Sequence, residues 1–331
     1  MVNKIIISSD WKENLYMYQL GNSRKKRIES LFPEVKLDFI NCKGLNLNNP
    51  NAHVYIGNRV SEGILDIMPK VKWVHFGSIG TDKLSDNYLK SRNITVTNSR
   101  GTMEEAVASS ALSFVFALSR GLSLLKDLRL QKNFNRSFID QHIHIFDDVY
   151  NSNFCILGYG PIAKLFISMI SKFSGNISII TRSERKNFKN IKFYKFSESK
   201  AALKNAKFVI NFLPHSEMTE NYVNKSFLKN IKEKAYYVNV GRHSTNDEDQ
   251  LIKFVESGNL IGVGLDVYDK NNVAYKNMLK NTKFILTPHV AGVSNSYWKK
   301  QMNLLEHNIS CYREESLNKM KNLVYLKGIK K

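Results

Sequence analysis

Short apolar runs alternate with polar, helix-like stretches along most of the chain. Over the first hundred residues the runs Lys4–Ser8, Val35–Ile40, His53–Ile56, Trp73–Phe76 and Ile94–Thr97 read as strands. Their spacing leaves room for crossover helices, which predicts a small parallel sheet. A long apolar helix is expected from Met103 to Arg120, with Ala106, Val107, Ser110, Ala111, Phe114 and Ala117 on one face. Such small residues suit close packing at a domain or subunit boundary. Gln131 to Ser152 is polar and poorly periodic and reads mainly as a connection. Beyond it, Phe154–Leu157, Ile177–Ile180, Phe208–Phe212, Ala235–Val240, Ile261–Leu265 and Phe284–Leu286 are further strand candidates. The segment from Ser294 reads as a helix able to return to the N-terminal domain. The chain shows no internal repeat and no low-complexity linker.

One apolar run ends in Gly158-Tyr159-Gly160-Pro161-Ile162-Ala163 and leads through a helical stretch to Ile177–Arg182. Strand, glycine turn, helix and parallel strand in that order predict a dinucleotide site. Gly158 permits the tight turn, Gly160 lets the backbone approach a pyrophosphate, and Ala163 lets the helix pack closely on the sheet. The first helical turn then offers N–H groups and a positive dipole end to phosphates. A tight turn without a ligand is the plainer alternative.

Composition narrows the classes. At 331 residues there is chain enough for two domains with separate cores. Ile5-Ile6-Ile7 is too short for a signal-peptide core, and no stretch approaches the ~18 apolar residues of a membrane span. Cys42, Cys155 and Cys311 show no metal or redox spacing, so buried or unpaired thiols in a reducing cytosol are expected, with no metal site. The formal charge of +20 is large. Its lysines are spread along the whole chain without a nucleic-acid motif, so solvated faces are preferred over a nucleic-acid surface.

Two residues stand out for chemistry. Arg242 follows the strand Ala235–Val240, and His289 follows Phe284–Leu286. A guanidinium can hold a carboxylate through two charge-assisted hydrogen bonds, and an imidazole can deliver a proton near neutral pH. Taken singly, each suits an ordinary surface or loop. Placed after parallel strands, both are expected at the crevice where ligands bind.

Several ordered motifs then resemble the D-isomer-specific 2-hydroxyacid dehydrogenase family. They are Asn239-Val240-Gly241-Arg242, Gly262-Val263-Gly264-Leu265-Asp266-Val267-Tyr268, Thr287-Pro288-His289-Val290-Ala291-Gly292 and Leu213-Pro214-His215-Ser216-Glu217-Met218-Thr219. The similarity runs from about Trp73 to Gly292. It implies an α/β chain with two Rossmann-like or flavodoxin-like domains. The cofactor domain, residues 99–293, would be inserted into a discontinuous substrate domain of 1–98 and 294–331, and the chains would form homodimers. Arg242 corresponds to the family's substrate arginine, His289 to its acid/base histidine, and Asp266 to a residue near the nicotinamide carboxamide. Leu213, Pro214, Thr219, Val240 and Gly292 join the expected cofactor contacts. The loop Gly77-Ser78-Ile79-Gly80-Thr81-Asp82 resembles the family's carboxylate loop, where main-chain N–H groups of Ser78, Ile79 and Gly80 bind the acid; an ordinary turn is the alternative.

The chain also departs from the family pattern. Asn271 stands where the family has its glutamate, His243 where glycine usually follows the arginine, and Ser109-Ser110 where an acidic residue and a ring are usual. At the end of the second cofactor-domain strand, NAD-dependent relatives usually place a carboxylate; here it is Thr181, followed by Arg182, Ser183, Glu184, Arg185 and Lys186. The expected cofactor is therefore NADP, with NAD as the alternative. The expected function is reduction of a small 2-oxo acid, such as glyoxylate or hydroxypyruvate, to the D-2-hydroxy acid in the cytoplasm. Oxidation of formate or phosphite on the same fold, or dinucleotide sensing without turnover, are the competing readings.

Overall fold

The computed structural model of this chain describes residues 5–10, 19–40, 50–81, 84–130, 135–141, 143 and 146–331. Cys42 and Asp82 lie outside the described residues. Two compact units divide the chain, Met1–Met103 with Val293–Lys331 and Glu104–Gly292.

The first unit is built on β1 (Ile5–Ser9), β2 (Val35–Phe39), β3 (Val54–Gly57), β4 (Trp73–Phe76) and β5 (Thr95–Asn98). These parallel strands run in the order β2-β1-β3-β4-β5, a flavodoxin-like winding. β13 (Leu323–Leu326) and β14 (Ile329–Lys330) extend the sheet antiparallel beyond β5. β3 and β4 are buried along their whole length, which is why their sequences show no apolar–polar alternation.

The second unit carries β6 (Phe154–Leu157), β7 (Ile177–Ile180), β8 (Ile191–Tyr194), β9 (Phe208–Asn211), β10 (Ala235–Asn239), β11 (Leu260–Leu265) and β12 (Phe284–Leu286). All are parallel, in the order β8-β7-β6-β9-β10-β11-β12. Strand order reverses between β6 and β9, so a crevice opens beyond their carboxyl ends. The register sets Leu157 beside Asn211, Asn211 beside Asn239, Asn239 beside Leu265 and Leu265 beside Leu286. Five strand ends thus lie in one row, and the turns that follow them are neighbours.

The expected strands are present within a residue or two at each end. The long helix is Glu104–Ser119, packed on β10, β11 and the helix Pro161–Ile170. Its buried face is Val107, Ala108, Ala111, Phe114, Val115 and Leu118, whereas Ala106, Ser110 and Ala117 are only half-buried. The C-terminal helix is Tyr297–Arg313 and starts later than Ser294, because the Ser296 N–H donates to Ser294 Oγ at 3.2 Å in a local turn. Helix Arg136–Gln141 lies inside the stretch read as a connection. The first unit extends to Met103 because residues beyond 98 are tied to it. The Ser99 N–H donates to the Ser78 carbonyl at 3.1 Å, and Asn322 Nδ2 donates to the Arg100 carbonyl at 2.6 Å. Among the described residues no single helix is long and apolar enough to cross a membrane.

Candidate active site

The glycine turn after β6 has the geometry an anion needs. Gly158 sits at φ +92°, a conformation that side chains rarely adopt, and its N–H donates to the Ile180 carbonyl at 2.8 Å. Gly160 precedes the helix Pro161–Ile170, whose N-terminus has no side-chain cap. A Cβ at Gly160 would meet nothing within 4 Å, so the helix end faces open space. Pro161 sets the first helical turn, and buried Ala163 seats the helix on the sheet. Uncapped N–H groups beside an open concavity fit a pyrophosphate.

A buried polar network shapes the next two turns. Asn211 Nδ2 donates to the Tyr237 hydroxyl and to Thr245 Oγ1, each at 2.8 Å, while Asn211 Oδ1 receives the Leu213 N–H at 2.9 Å. At the end of β10, Asn239 Oδ1 receives the Gly241 N–H at 2.8 Å and Asn239 Nδ2 donates to the Arg242 carbonyl at 3.1 Å. Thr245 Oγ1 also donates to that carbonyl, at 2.7 Å. A Cβ on Gly241 would fall 2.6 Å from the Leu213 carbonyl oxygen, so only glycine lets the Leu213 and Arg242 turns approach this closely. Half-buried Arg242 thus projects from a backbone fixed at both ends, and its Nη1 donates to the Gly241 carbonyl at 3.0 Å. Val240 is buried. Thr219 Oγ1 donates to the Pro214 carbonyl at 2.7 Å, closing the 213–219 turn. His243 begins a short 3-10 turn without positive φ, so its side chain replaces glycine there without left-handed strain.

His289 occupies the most constrained turn. Its φ is +58°, uncommon for a residue with a side chain. Buried Asp266 holds the turn, accepting the Thr287 hydroxyl at 2.6 Å and the Val290 N–H at 2.8 Å on Oδ1, and the Ala291 N–H at 2.9 Å on Oδ2. Ser110 Oγ adds a bond to the Ala291 carbonyl at 3.1 Å, which gives the departure at Ser109-Ser110 a defined role. The half-buried Gly292 ends this turn. Asp266 therefore organises the histidine turn, a role that the sequence reading missed. The imidazole pKa is held below its ordinary value, first by loss of water around the ring; the Asp266 carboxylate pulls it upward, and Arg242 and His243 push it down. Arg242, His243 and His289 are thus within electrostatic reach of one another.

Asn271 is exposed, and its N–H donates to Asp269 Oδ1 at 2.9 Å. No bond from either side chain to His289 occurs among the described residues. The Asp269 N–H instead donates to Glu248 Oε1 at 2.9 Å. Glu248 is 5% exposed, its Oε2 lacks a hydrogen-bond partner among the described residues, and burial raises its pKa to about 7. A carboxyl with a raised folded pKa contributes stability fully below its unfolded value near 4.5, and loses it as pH rises through about 7. Glu248→Gln should therefore flatten the fall in Tm between pH 5 and pH 8, by the equivalent of about 1–3 kcal/mol. Parallel Tm curves for the two proteins would contradict this.

In the first unit, the loop after β4 is held by its carbonyls. The carbonyls of Ser78, Ile79 and Gly80 accept from the Ser99 N–H at 3.1 Å, Asn98 Nδ2 at 2.7 Å and Ser78 Oγ at 3.0 Å. Among the described residues the N–H groups of Ser78, Ile79 and Gly80 have no protein acceptor.

Beyond β7, Thr181 is nearly buried, while Arg182, Ser183 and Arg185 are exposed. A concavity of about 390 Å³ is lined by Tyr159, Glu184, Arg185, Lys186, Phe188, Ile191 and Phe193. The Arg185 guanidinium lies 5.0 Å from the ring centre of Tyr159, the residue between the two glycines of the turn. Glu184 is paired with Lys195 at 3.0 Å. Among the described residues no group of three or more His, Cys, Asp or Glu is placed to hold a metal.

A family model described as D-isomer specific 2-hydroxyacid dehydrogenase, NAD binding domain, matches residues 112–291. A glyoxylate reductase of Thermococcus kodakarensis is 23% identical over 260 residues, 78% of each chain. Among solved structures, an NADPH-dependent glyoxylate/hydroxypyruvate reductase of Sinorhizobium meliloti superposes with TM-score 0.77 at 21% identity, covering 99% of this chain and all of that one. An NAD-dependent formate dehydrogenase of Staphylococcus aureus gives 0.80 at 19% identity, covering 98% and 100%.

Proposed function

The chain belongs to the D-isomer specific 2-hydroxyacid dehydrogenase family, a family of NAD(P)-dependent oxidoreductases, and on that premise we propose that it reduces a small 2-oxo acid with NADPH. The observation that carries the reading is the row of strand ends that sets Arg242 and His289 on fixed turns beside an uncapped, open helix N-terminus. The dinucleotide, when bound, supplies the hydride. Arg242 holds the substrate carboxylate and polarises the ketone, and protonated His289 delivers a proton to the keto oxygen. The Ser78–Gly80 loop binds a carboxylate through its main-chain N–H groups. Glyoxylate and hydroxypyruvate, the substrates named for the relatives, are the representative compounds. The same reading includes a homodimer and a cytoplasmic location.

Preference for NADPH is supported by Thr181, which brings no charge to repel a 2′-phosphate, and by Arg185 stacked on Tyr159. The expected result is a higher kcat/KM with NADPH than with NADH. Arg185→Ala should raise the KM for NADPH and leave that for NADH nearly unchanged, with Arg182→Ala giving the smaller effect. Equal efficiencies with both cofactors in the parent protein would sink the preference. Asn271, in place of a glutamate, favours one second reading, dehydrogenation of formate on the same fold. Formate-dependent reduction of NAD exceeding any oxo-acid turnover would establish it.

A further inference from the structure

We propose that Tyr297 is a positioning residue for substrate binding, its hydroxyl fixing the direction in which the carboxylate loop presents its first N–H. This rests on the reading of Ser78–Gly80 as a carboxylate site.

Tyr297 lies in the first turn of the Tyr297–Arg313 helix and is fully buried. Its hydroxyl donates to the Gly77 carbonyl at 3.0 Å. In a planar trans peptide, each C=O points opposite to the N–H of the following residue. Holding the Gly77 carbonyl therefore aims the Ser78 N–H. In the same way the Ser99 N–H on the Ser78 carbonyl aims the Ile79 N–H, and Asn98 Nδ2 on the Ile79 carbonyl aims the Gly80 N–H. Three carbonyls are drawn into the protein, and three consecutive N–H groups are turned away from these anchors. Two anchors come from the neighbouring β5 end, whereas the Gly77 anchor comes from a helix 220 positions away in sequence.

A second contact keeps that helix in place over the loop. Gln301, one turn beyond Tyr297, brings its Nε2 to 2.8 Å from His75 Nε2, and His75 sits two residues before Gly77. His75 Nδ1 lies 2.8 Å from Thr97 Oγ1, which also receives Trp73 Nε1 at 2.9 Å. All of these side chains are buried, so the helix that carries Tyr297 is held by a packed polar chain and not by a mobile surface contact.

The test compares the parent, Tyr297→Phe and Ile79→Pro as full-length, NADPH-loaded proteins. Measured quantities are kcat, KM for glyoxylate, KM for NADPH and the Kd of oxalate as an unreactive carboxylate. Tyr297→Phe keeps the buried ring and removes one hydrogen bond, so an increase of about three- to tenfold in glyoxylate KM and in oxalate Kd is expected. The KM for NADPH should stay at the parent value, and kcat should change by less than the glyoxylate KM. Ile79→Pro, which deletes a loop N–H, should raise both carboxylate constants. Should Tyr297→Phe only lower Tm, with both carboxylate constants unmoved while Ile79→Pro raises them, Tyr297 is a packing residue and this proposal fails alone. If neither variant moves them, the carboxylate reading of the loop fails as well. Gln301→Met, which frees the helix carrying Tyr297 from His75, is the second variant if Tyr297→Phe does not fold; the same selective rise is required of it, and unmoved carboxylate constants overturn the proposal.

Discussion

Replacing His289 by glutamine is expected to lower kcat for oxo-acid reduction by roughly 10²–10⁴-fold, the usual contribution of a positioned acid, while NADPH still binds. Glutamine retains polarity at the turn but carries no proton to give. The pH profile of the parent protein checks the same residue. Reduction needs imidazolium, so the rate is full below the His289 pKa and falls as pH rises through it. That pKa is depressed by loss of hydration, with Arg242 and His243 adding to the effect against Asp266. The falling limb should therefore lie below the ordinary imidazole value of 6.5. Asn271→Glu should move the limb upward, because a nearby carboxylate favours the charged ring. An unmoved limb would show that position 271 does not tune His289.

Arg242→Lys should cost at least about tenfold in kcat/KM for the oxo acid, from a charge-assisted bond worth ~1.5–3 kcal/mol. Lysine keeps the charge and loses the planar fork that orients a carboxylate. The backbone of the turn should survive, because its bonds come from Asn239, Thr245 and the close approach of Gly241 to Leu213 rather than from the guanidinium. Parent-like efficiency would assign Arg242 another task. A large loss of NADPH affinity would instead point to a damaged turn.

The chain's strands were legible where they are central and buried. Phe154–Leu157 and Phe208–Asn211 are short apolar runs that end in a glycine turn or an asparagine, and both features are local. β8, β13 and β14 escaped: Ile191–Tyr194 and Ile329–Lys330 are edge strands with exposed lysines, which weaken any apolar signal, and Leu323–Leu326 is a short, mostly half-buried strand beside β14. Arg242 and His289 could be read from position, since each follows a strand and falls in a familiar motif. Asp266 could be located, but its grip on the histidine turn depends on bonds to residues 21 to 25 positions later. Asn211 and Asn239 carried a usable signal, a buried polar residue closing an otherwise apolar strand. Ser110 stood out only as a departure from the family pattern, since its partner lies 181 positions away, and Tyr297 carried no signal, because its contact joins segments 220 residues apart.

On the proposed function, the turns at Arg242 and His289 serve reduction of a 2-oxo acid. Its most direct test is the initial rate of NADPH oxidation by the purified protein with glyoxylate and hydroxypyruvate between pH 5 and pH 8. Substrate-dependent turnover that falls as pH rises and is nearly abolished in His289→Gln is expected. Tight NADPH binding with no turnover of any oxo acid across that range would contradict it, and would favour a protein that senses the dinucleotide without using it.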